Sequence, residues 1–106
     1  MDADLETYLA DYLASPGAQK IVVTLDKHGS LILRELAFHA ELSEPFVRKE
    51  MDKLEGWGLV TVAHLNKRTY QFSLTPRGKK FAGLTYKQVE LIREGAEEKA
   101  KEGPRT

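Results

Sequence analysis

The chain has 106 residues, no cysteine, and 16 basic against 16 acidic side chains. This length fits one domain of ordinary size, and the missing cysteines exclude a disulfide scaffold, thiolate metal sites and thiol nucleophiles. No apolar run reaches the roughly 18 to 20 residues of a membrane-spanning helix, and the acidic first residues are unlike a signal peptide. We therefore expect a cytoplasmic protein that does not associate with membranes.

The charge is unevenly distributed, although its sum is zero. Residues 1–30 carry two basic and five acidic groups, residues 31–82 carry nine and six, and residues 83–106 carry five of each. The middle of the chain is therefore the part suited to an anionic partner.

The first thirty residues predict two helices. Ser15 and Pro16 carry the start signals of the second helix, and Gly29 is its expected left-handed end. Apolar residues recur at helical spacing in the first helix, at Leu5, Tyr8, Leu9, Tyr12 and Leu13.

The central segment predicts a short edge strand at 30–32, a helix at 33–41 and a tight turn at 42–43. Ser43 is the expected N-cap of a further helix. Val47, Met51 and Leu54 repeat at i, i+4 and i+7 along it and mark its inner face.

Hydrophobic periodicity then changes from helical to alternating, which predicts a hairpin of strands 59–65 and 69–74. A short helix follows through Ala82, and after Gly83 a last helix covers residues 85–102. This order predicts an α+β, mostly helical fold, a winged helix-turn-helix with a two-stranded wing plus an extra N-terminal helix and a C-terminal helix. We expect a single domain over 1–106, with N-terminal helices at 1–30, the winged core at 31–82, and a C-terminal helix and tail at 83–106.

Residues 31–82 resemble the winged-helix domain of MarR-like transcriptional regulators of bacteria and archaea. The resemblance covers about half of the chain and implies a fold that binds DNA. It rests on four segments, Leu33-Arg34-Glu35-Leu36-Ala37, Leu42-Ser43, Leu54-Glu55-Gly56-Trp57-Gly58-Leu59-Val60 and Leu74-Thr75-Pro76-Arg77-Gly78.

In this frame residues 43–55 form the recognition helix in the major groove, and residues 65–69 form the wing on the backbone or in the minor groove. Arg48 and Lys49 are the candidates for base contacts, Lys53 for a phosphate and Phe46 for a thymine methyl. The remaining candidate DNA contacts are basic residues of the wing and the helix after it, Lys67, Arg68, Arg77, Lys79 and Lys80. The alternative is that these charges only solvate a helix face and a hairpin tip.

The sequence contains no pattern typical of a catalytic site. The histidines lack ligand spacing, so no metal site is expected, and no nucleophile, phosphate-loop or paired-acid motif occurs. We expect neither an enzyme nor a bound cofactor. Phe38 and Phe46 are expected on the outside, and Trp57 beneath the wing.

The terminal helices predict a dimer. Their apolar faces comprise Leu5, Tyr8, Leu9 and Tyr12 in the first helix and Val89 and Ile92 in the last. A symmetric pairing through these faces would turn the acidic residues 1–30 away from DNA and imply a palindromic or repeated site. The alternative is that both helices pack only on their own domain.

The sequence therefore predicts a homodimeric, sequence-specific regulator of transcription that binds double-stranded DNA, and it does not indicate an effector. One alternative is a protein-interaction module of a transcription or replication assembly, which overall neutrality and the exposed phenylalanines favour. Another is a nucleoid-type protein that binds duplex without sequence preference.

Overall fold

The computed structural model describes the backbone of residues 3–102 and the side chains of residues 6–95. This part of the chain forms five helices and three strands, which confirms the winged-helix prediction. Within it, no helix is both long enough and apolar enough to cross a membrane. The elements are α1 (Ala3–Leu13), α2 (Pro16–His28), β1 (Leu31–Ile32), α3 (Leu33–Ala40), α4 (Glu44–Gly56), β2 (Val60–His64), β3 (Tyr70–Leu74) and α5 (Pro76–Glu102).

Two of the predicted caps are built differently. The Ser15 hydroxyl donates backwards to the Asp11 carbonyl at 2.8 Å, so it does not cap α2. Gly29 has a positive φ of 81° with ψ at −159°, which lies outside the left-handed helical region. A left-handed helical cap occurs at the end of α3, where Glu41 has φ 58° and ψ 44° and the chain turns towards α4.

The helix-turn-helix unit forms as predicted. The Ser43 hydroxyl accepts the Phe46 N–H at 3.3 Å and caps α4. The Leu42 N–H donates to the Ala37 carbonyl at 3.0 Å, which closes the end of α3. The predicted inner face of α4, Val47, Met51 and Leu54, is buried, and α3 buries Leu36 and Ala37 beside it.

The sheet has the strand order β1-β3-β2 and is antiparallel throughout. β1 pairs at the edge, with Leu31 opposite Phe72. β2 and β3 pair from Val60 opposite Leu74 to His64 opposite Tyr70. The wing is therefore three-stranded at its base and two-stranded towards its tip.

Thr75 joins the wing to α5. Its hydroxyl donates to the Gly58 carbonyl at 2.6 Å and accepts the Gly78 N–H at 3.0 Å. Its backbone N–H donates to the Leu59 carbonyl at 3.0 Å. One residue thus caps α5 and ties its start to the chain segment that leaves α4.

The predicted break at Gly83 is wrong, because Pro76–Glu102 form one helix of 27 residues. Gly83 is exposed, and one glycine in a helix costs about 1 kcal/mol. Phe81 and Thr85 on either side are buried against α1, where the Phe81 ring meets Tyr12 edge to face at 5.1 Å. This packing outweighs the glycine, so the expected boundary between residues 82 and 83 lies inside a helix. The predicted tail at 103–106 lies outside the described residues.

The core lies where α2 crosses the helix-turn-helix unit, the base of the sheet and the start of α5. Its largest fully buried side chains are Tyr12, Ile21, Leu36, Leu54, Leu59, Val22, Val47 and Val60. Trp57 is partly buried against this cluster at the base of the wing, as predicted.

Candidate nucleic-acid interface

The outer face of α4 carries both signs of charge. Arg48, Lys49 and Asp52 are exposed, and none of them forms an ion pair with a described residue. Arg48 and Lys49 lie in the first half of the helix, where a helix inserted in the major groove comes nearest to the base edges. Both stay candidates for base contacts.

Lys53 forms an ion pair with Glu50 on its own helix. Its Nζ lies 3.0 Å from Glu50 Oε2, and it sits 5.8 Å from the centre of the Trp57 ring. Glu50 is 6% exposed, and the same oxygen accepts no well-aligned hydrogen bond. A phosphate contact by Lys53 would therefore compete with its ion pair to Glu50, which is the only partner of this buried carboxylate among the described residues.

Phe46 is partly turned towards the domain. An ideal Cβ on Gly17 would lie 2.5 Å from the Phe46 Cζ, so the ring covers the first turn of α2. The ring is 38% exposed, and only that remaining surface could reach a thymine methyl.

The tip of the wing is a compact turn with free cations. The Arg68 N–H donates to Asn66 Oδ1 at 2.9 Å, and the Leu65 N–H donates to the Thr69 carbonyl at 2.9 Å. Lys67 and Arg68 are exposed there and make no side-chain hydrogen bond or ion pair with a described residue.

α4 and the wing tip border one cleft of about 380 Å³, which Arg48 enters from the helix and Arg68 from the wing. The structure therefore brings together two predicted DNA contacts that are 20 positions apart in the sequence. Arg34 at the start of α3 lines the same cleft and was missed. No sequence signal separated it from an ordinary exposed arginine, since its place depends on the path of the wing.

Two of the three basic residues after the wing contact other parts of the domain. Arg77 Nη1 donates to the Trp57 carbonyl at 3.0 Å, so this predicted DNA contact is part of the joint between wing and α5. Lys79 lines a different cleft, with Asp26 and Ser73 near the end of α2. Lys80 is exposed and has no described partner.

Three aromatic side chains lie close together at the ends of α3 and α2. Phe38 is 77% exposed and meets His39 edge to face at 5.4 Å. His39 stacks on His28 at 4.1 Å, which joins the ends of α3 and α2. No group of three or more histidine or acidic side chains within the described residues is arranged to hold a metal.

The terminal helices leave apolar surface open. Val89 is 48% exposed and Ile92 is 66% exposed, and Tyr8 and Leu9 are half-buried. Tyr12 differs, because it is fully buried in its own chain and its hydroxyl bonds that of Thr85. It therefore offers no surface to a second copy, which corrects its assignment to the dimer interface. The Leu5 side chain lies outside the described residues.

A cleft of about 210 Å³ between α1 and α5 adds to this surface. Leu9 and Leu13 line one side, and Leu84 and Leu91 line the other. Of the predicted dimer residues, Leu9 borders this apolar cleft, whereas Val89 lines a different cleft together with Lys27, Glu90 and Arg93.

No protein-family model and no curated protein matches the sequence, whereas solved structures do. A MarR-family transcriptional regulator from Silicibacter pomeroyi superposes with a TM-score of 0.73 at 18% identity, over 89% of this chain and 64% of its own. NadR in complex with 4-hydroxyphenylacetate gives 0.70 at 23% identity, over 89% and 68%. An ArsR-family transcriptional regulator gives 0.63 at 17% identity, over 89% and 95%.

These identities are low, so the likeness concerns the fold. The chain spans about two thirds of the two longer proteins and nearly all of the shorter one. Together with the helix-turn-helix unit and the wing, the superpositions show that this chain has a winged helix-turn-helix fold similar to that of these proteins.

Proposed function

We propose that this chain binds double-stranded DNA sequence-specifically, as a homodimeric regulator of transcription. The observation that carries the proposal is the shared cleft of Arg48 on α4 and Arg68 on the wing, with both cations lacking a described ion-pair partner. The MarR-family and ArsR-family structures, which are of transcriptional regulators, support it.

The division of labour follows from position. Arg48 and Lys49 lie on the first half of α4, from which side chains reach guanine acceptors in the major groove. Lys67 and Arg68 lie at the wing tip, where a hairpin follows the backbone or enters the minor groove. Phosphate contacts fix the register, and base contacts select the sequence.

The test is fluorescence anisotropy of a labelled mixed-sequence duplex, titrated over a series of salt concentrations and followed by selection of a preferred duplex from a random pool. The logarithm of the binding constant should fall linearly with the logarithm of the salt concentration. Arg48→Ala with Lys49→Ala should weaken the selected duplex by about 1–3 kcal/mol per lost base contact and reduce its preference over the mixed sequence.

The matched control is Lys20→Ala with Arg93→Ala, which removes one exposed cation from α2 and one from α5. It should leave the preference unchanged. If both double variants behave alike, α4 is not the recognition helix.

The dimer has its own support in the open apolar region of α1 and α5. Leu91 is 60% exposed and Ile92 is 66% exposed, and burying apolar area contributes about 25 cal/mol per Å². Sedimentation should show a dimer for the natural chain and a monomer for Ile92→Asp. A natural chain that stays monomeric at high concentration contradicts the dimer.

A second candidate function rests on Phe38. A phenylalanine that is 77% exposed fits a protein-interaction surface. Salt separates the two functions, because an aromatic interface responds weakly to salt while phosphate binding responds steeply. Absence of duplex binding even at low salt would favour this candidate.

A further inference from the structure

Three arginines from three separate elements meet in the cleft between α4 and the wing. Arg34 comes from α3, Arg48 from α4 and Arg68 from the wing tip, and the same cleft contains Glu44 and Thr69. Its volume is about 380 Å³. The cleft therefore gathers more positive than negative charge, in a chain whose total charge is zero.

The carboxylates nearby do not neutralise these arginines. Glu35, next to Arg34, turns its Oε1 to the backbone N–H of Ile32 at 3.4 Å, where it caps α3. Glu44 lines the cleft without forming an ion pair with a described residue. Like charges held together are unfavourable until an anion joins them, so the cleft has the electrostatics of an anion site.

The chemistry of the side chains indicates which kind of anion the cleft would bind. A guanidinium presents planar, paired donors that match the oxygens of a phosphate or carboxylate in two parallel hydrogen bonds. Several such donors on one group are typical of phosphate recognition, because a phosphate group offers acceptor oxygens in several directions.

The position of the cleft decides between a free anion and the duplex. Each sugar–phosphate strand of a duplex separates the major from the minor groove. A protein with a helix in the major groove and a wing at the adjacent minor groove must therefore straddle one strand. The space between α4 and the wing is the place for that strand, and the three arginines line it.

The other end of the space between helix and wing has the opposite charge. A second cleft of about 250 Å³ shares Arg48 and Tyr70 with the first, and it is lined by Asp52 and Glu55 of α4 and His64 of the wing. Carboxylates disfavour a phosphate at that end. The strand is thus directed to the arginine end.

We propose that Arg34, with Arg68 of the wing, holds the phosphodiester strand that passes between α4 and the wing beside Arg48. This inference rests on the proposed DNA binding and adds to it a contact outside the recognition helix and wing. Arg34 is a positioning residue, since a phosphate contact fixes the register of the protein on the duplex without reading a base.

The test compares the natural chain, Arg34→Ala, Arg34→Lys and the α5 control Arg93→Ala on the labelled mixed-sequence duplex across a salt series. Each phosphate contact that is lost lowers the slope of log affinity against log salt by about one, so the effect on a dimer that binds with both subunits is about two. Each lost contact weakens binding near 0.1 M salt by about tenfold. Arg34→Lys should keep the slope but not the full affinity, because it keeps the charge and loses the paired donors.

Two further measurements make the outcomes separable. Arg34→Ala should weaken the selected and the mixed-sequence duplex by the same factor, unlike Arg48→Ala with Lys49→Ala. Arg34→Ala combined with Arg68→Ala should cost less than the product of the single effects, because both side chains hold one strand. Circular dichroism of each variant checks that the fold is intact.

The results divide as follows. A natural chain that binds the duplex, with Arg34→Ala indistinguishable from Arg93→Ala, overturns this inference and leaves the proposed function standing. A natural chain that binds no duplex overturns both. Inorganic phosphate that binds the natural chain but not Arg34→Ala, and that leaves the duplex affinity of the natural chain the same as chloride does at equal ionic strength, would assign the cleft to a free anion and overturn the duplex strand as its ligand.

Discussion

Gly78 offers the sharpest test of the joint between the wing and α5. An ideal Cβ at this position would lie 2.2 Å from the Leu59 carbonyl oxygen and 2.9 Å from Leu74 Cδ2. The oxygen belongs to the backbone and accepts the Thr75 N–H at 3.0 Å. It therefore cannot move aside as the end of a flexible side chain would, and Gly78→Ala must displace the start of β2 or of α5.

The magnitude follows from three opposing terms. Overpacking costs about 1–3 kcal/mol, and a weakened Thr75 hydrogen bond costs about 1 kcal/mol more. Alanine in place of glycine gains about 1 kcal/mol of helix propensity. We expect Gly78→Ala to lower the free energy of unfolding by about 2 kcal/mol net, which lowers Tm by roughly 8–16 °C at 4–8 °C per kcal/mol.

Gly83→Ala is the matched control, because Gly83 lies in the same helix and an added Cβ there meets nothing within 4 Å. It should gain up to about 1 kcal/mol. The assay is urea unfolding followed by circular dichroism at one fixed protein concentration, since a dimer makes stability depend on concentration. Equal stabilities of Gly78→Ala and Gly83→Ala would refute the close approach of α5 to the Leu59 carbonyl.

Two further predictions concern the contacts of α5 with α1 and α2. Burial and the hydrogen bond to Asp26 Oδ2 at 2.9 Å raise the pKa of Tyr86 to about 12. The contribution of this tyrosine to stability is thus complete below its unfolded pKa of about 10 and is lost as the pH rises towards 12. Spectroscopic titration should show that Tyr86 ionises at a higher pH in the natural chain than in Asp26→Asn. Thr85→Val should lower the free energy of unfolding by about 1–3 kcal/mol in urea, because it leaves the buried Tyr12 hydroxyl without its partner. Tyr12→Phe should cost less, because the Thr85 hydroxyl still donates to the Phe81 carbonyl at 3.1 Å. Equal losses in the two variants would contradict this asymmetry.

The fold was predictable because its signals are local. Ser43 caps α4, and the change from helical to alternating periodicity after Gly58 marks the wing. The segment from Leu74 to Gly78 is one of the four that carry the resemblance, and the structure gives a physical reason for its residues. Thr75 caps a helix and holds the preceding loop, while Gly78 lies where a Cβ does not fit.

The errors came from tertiary packing. A glycine reads as a helix end in the sequence, but the buried neighbours of Gly83 carry α5 through it. Tyr12 has the spacing of an amphipathic surface, and only the course of α5 shows that it is covered within its own chain. Arg77 resembles any other cation near a wing until its bond to the Trp57 carbonyl is seen.

The candidate site was predictable only in part for the same reason. Arg48 and Arg68 were found because each lies on an element with a known place in winged-helix domains. Arg34 and Glu50 were missed, since the first depends on where the wing tip lies and the second on the burial of one side of α4. A sequence pattern identifies the face of a helix more readily than the neighbour that covers it.

The third strand at the base of the wing has a consequence for how such domains diversify. β1 pairs with β3 at Phe72 and Gln71 and does not reach Tyr70. The hairpin is thus framed at its root, whereas its outer turn is held by local bonds alone among the described residues. Residues inserted or deleted at 66–68 would change how far the tip extends while leaving the angle at which the hairpin leaves the domain unaltered. Such a wing can be refitted to a new groove by changes in length, without any change to the helices that carry it.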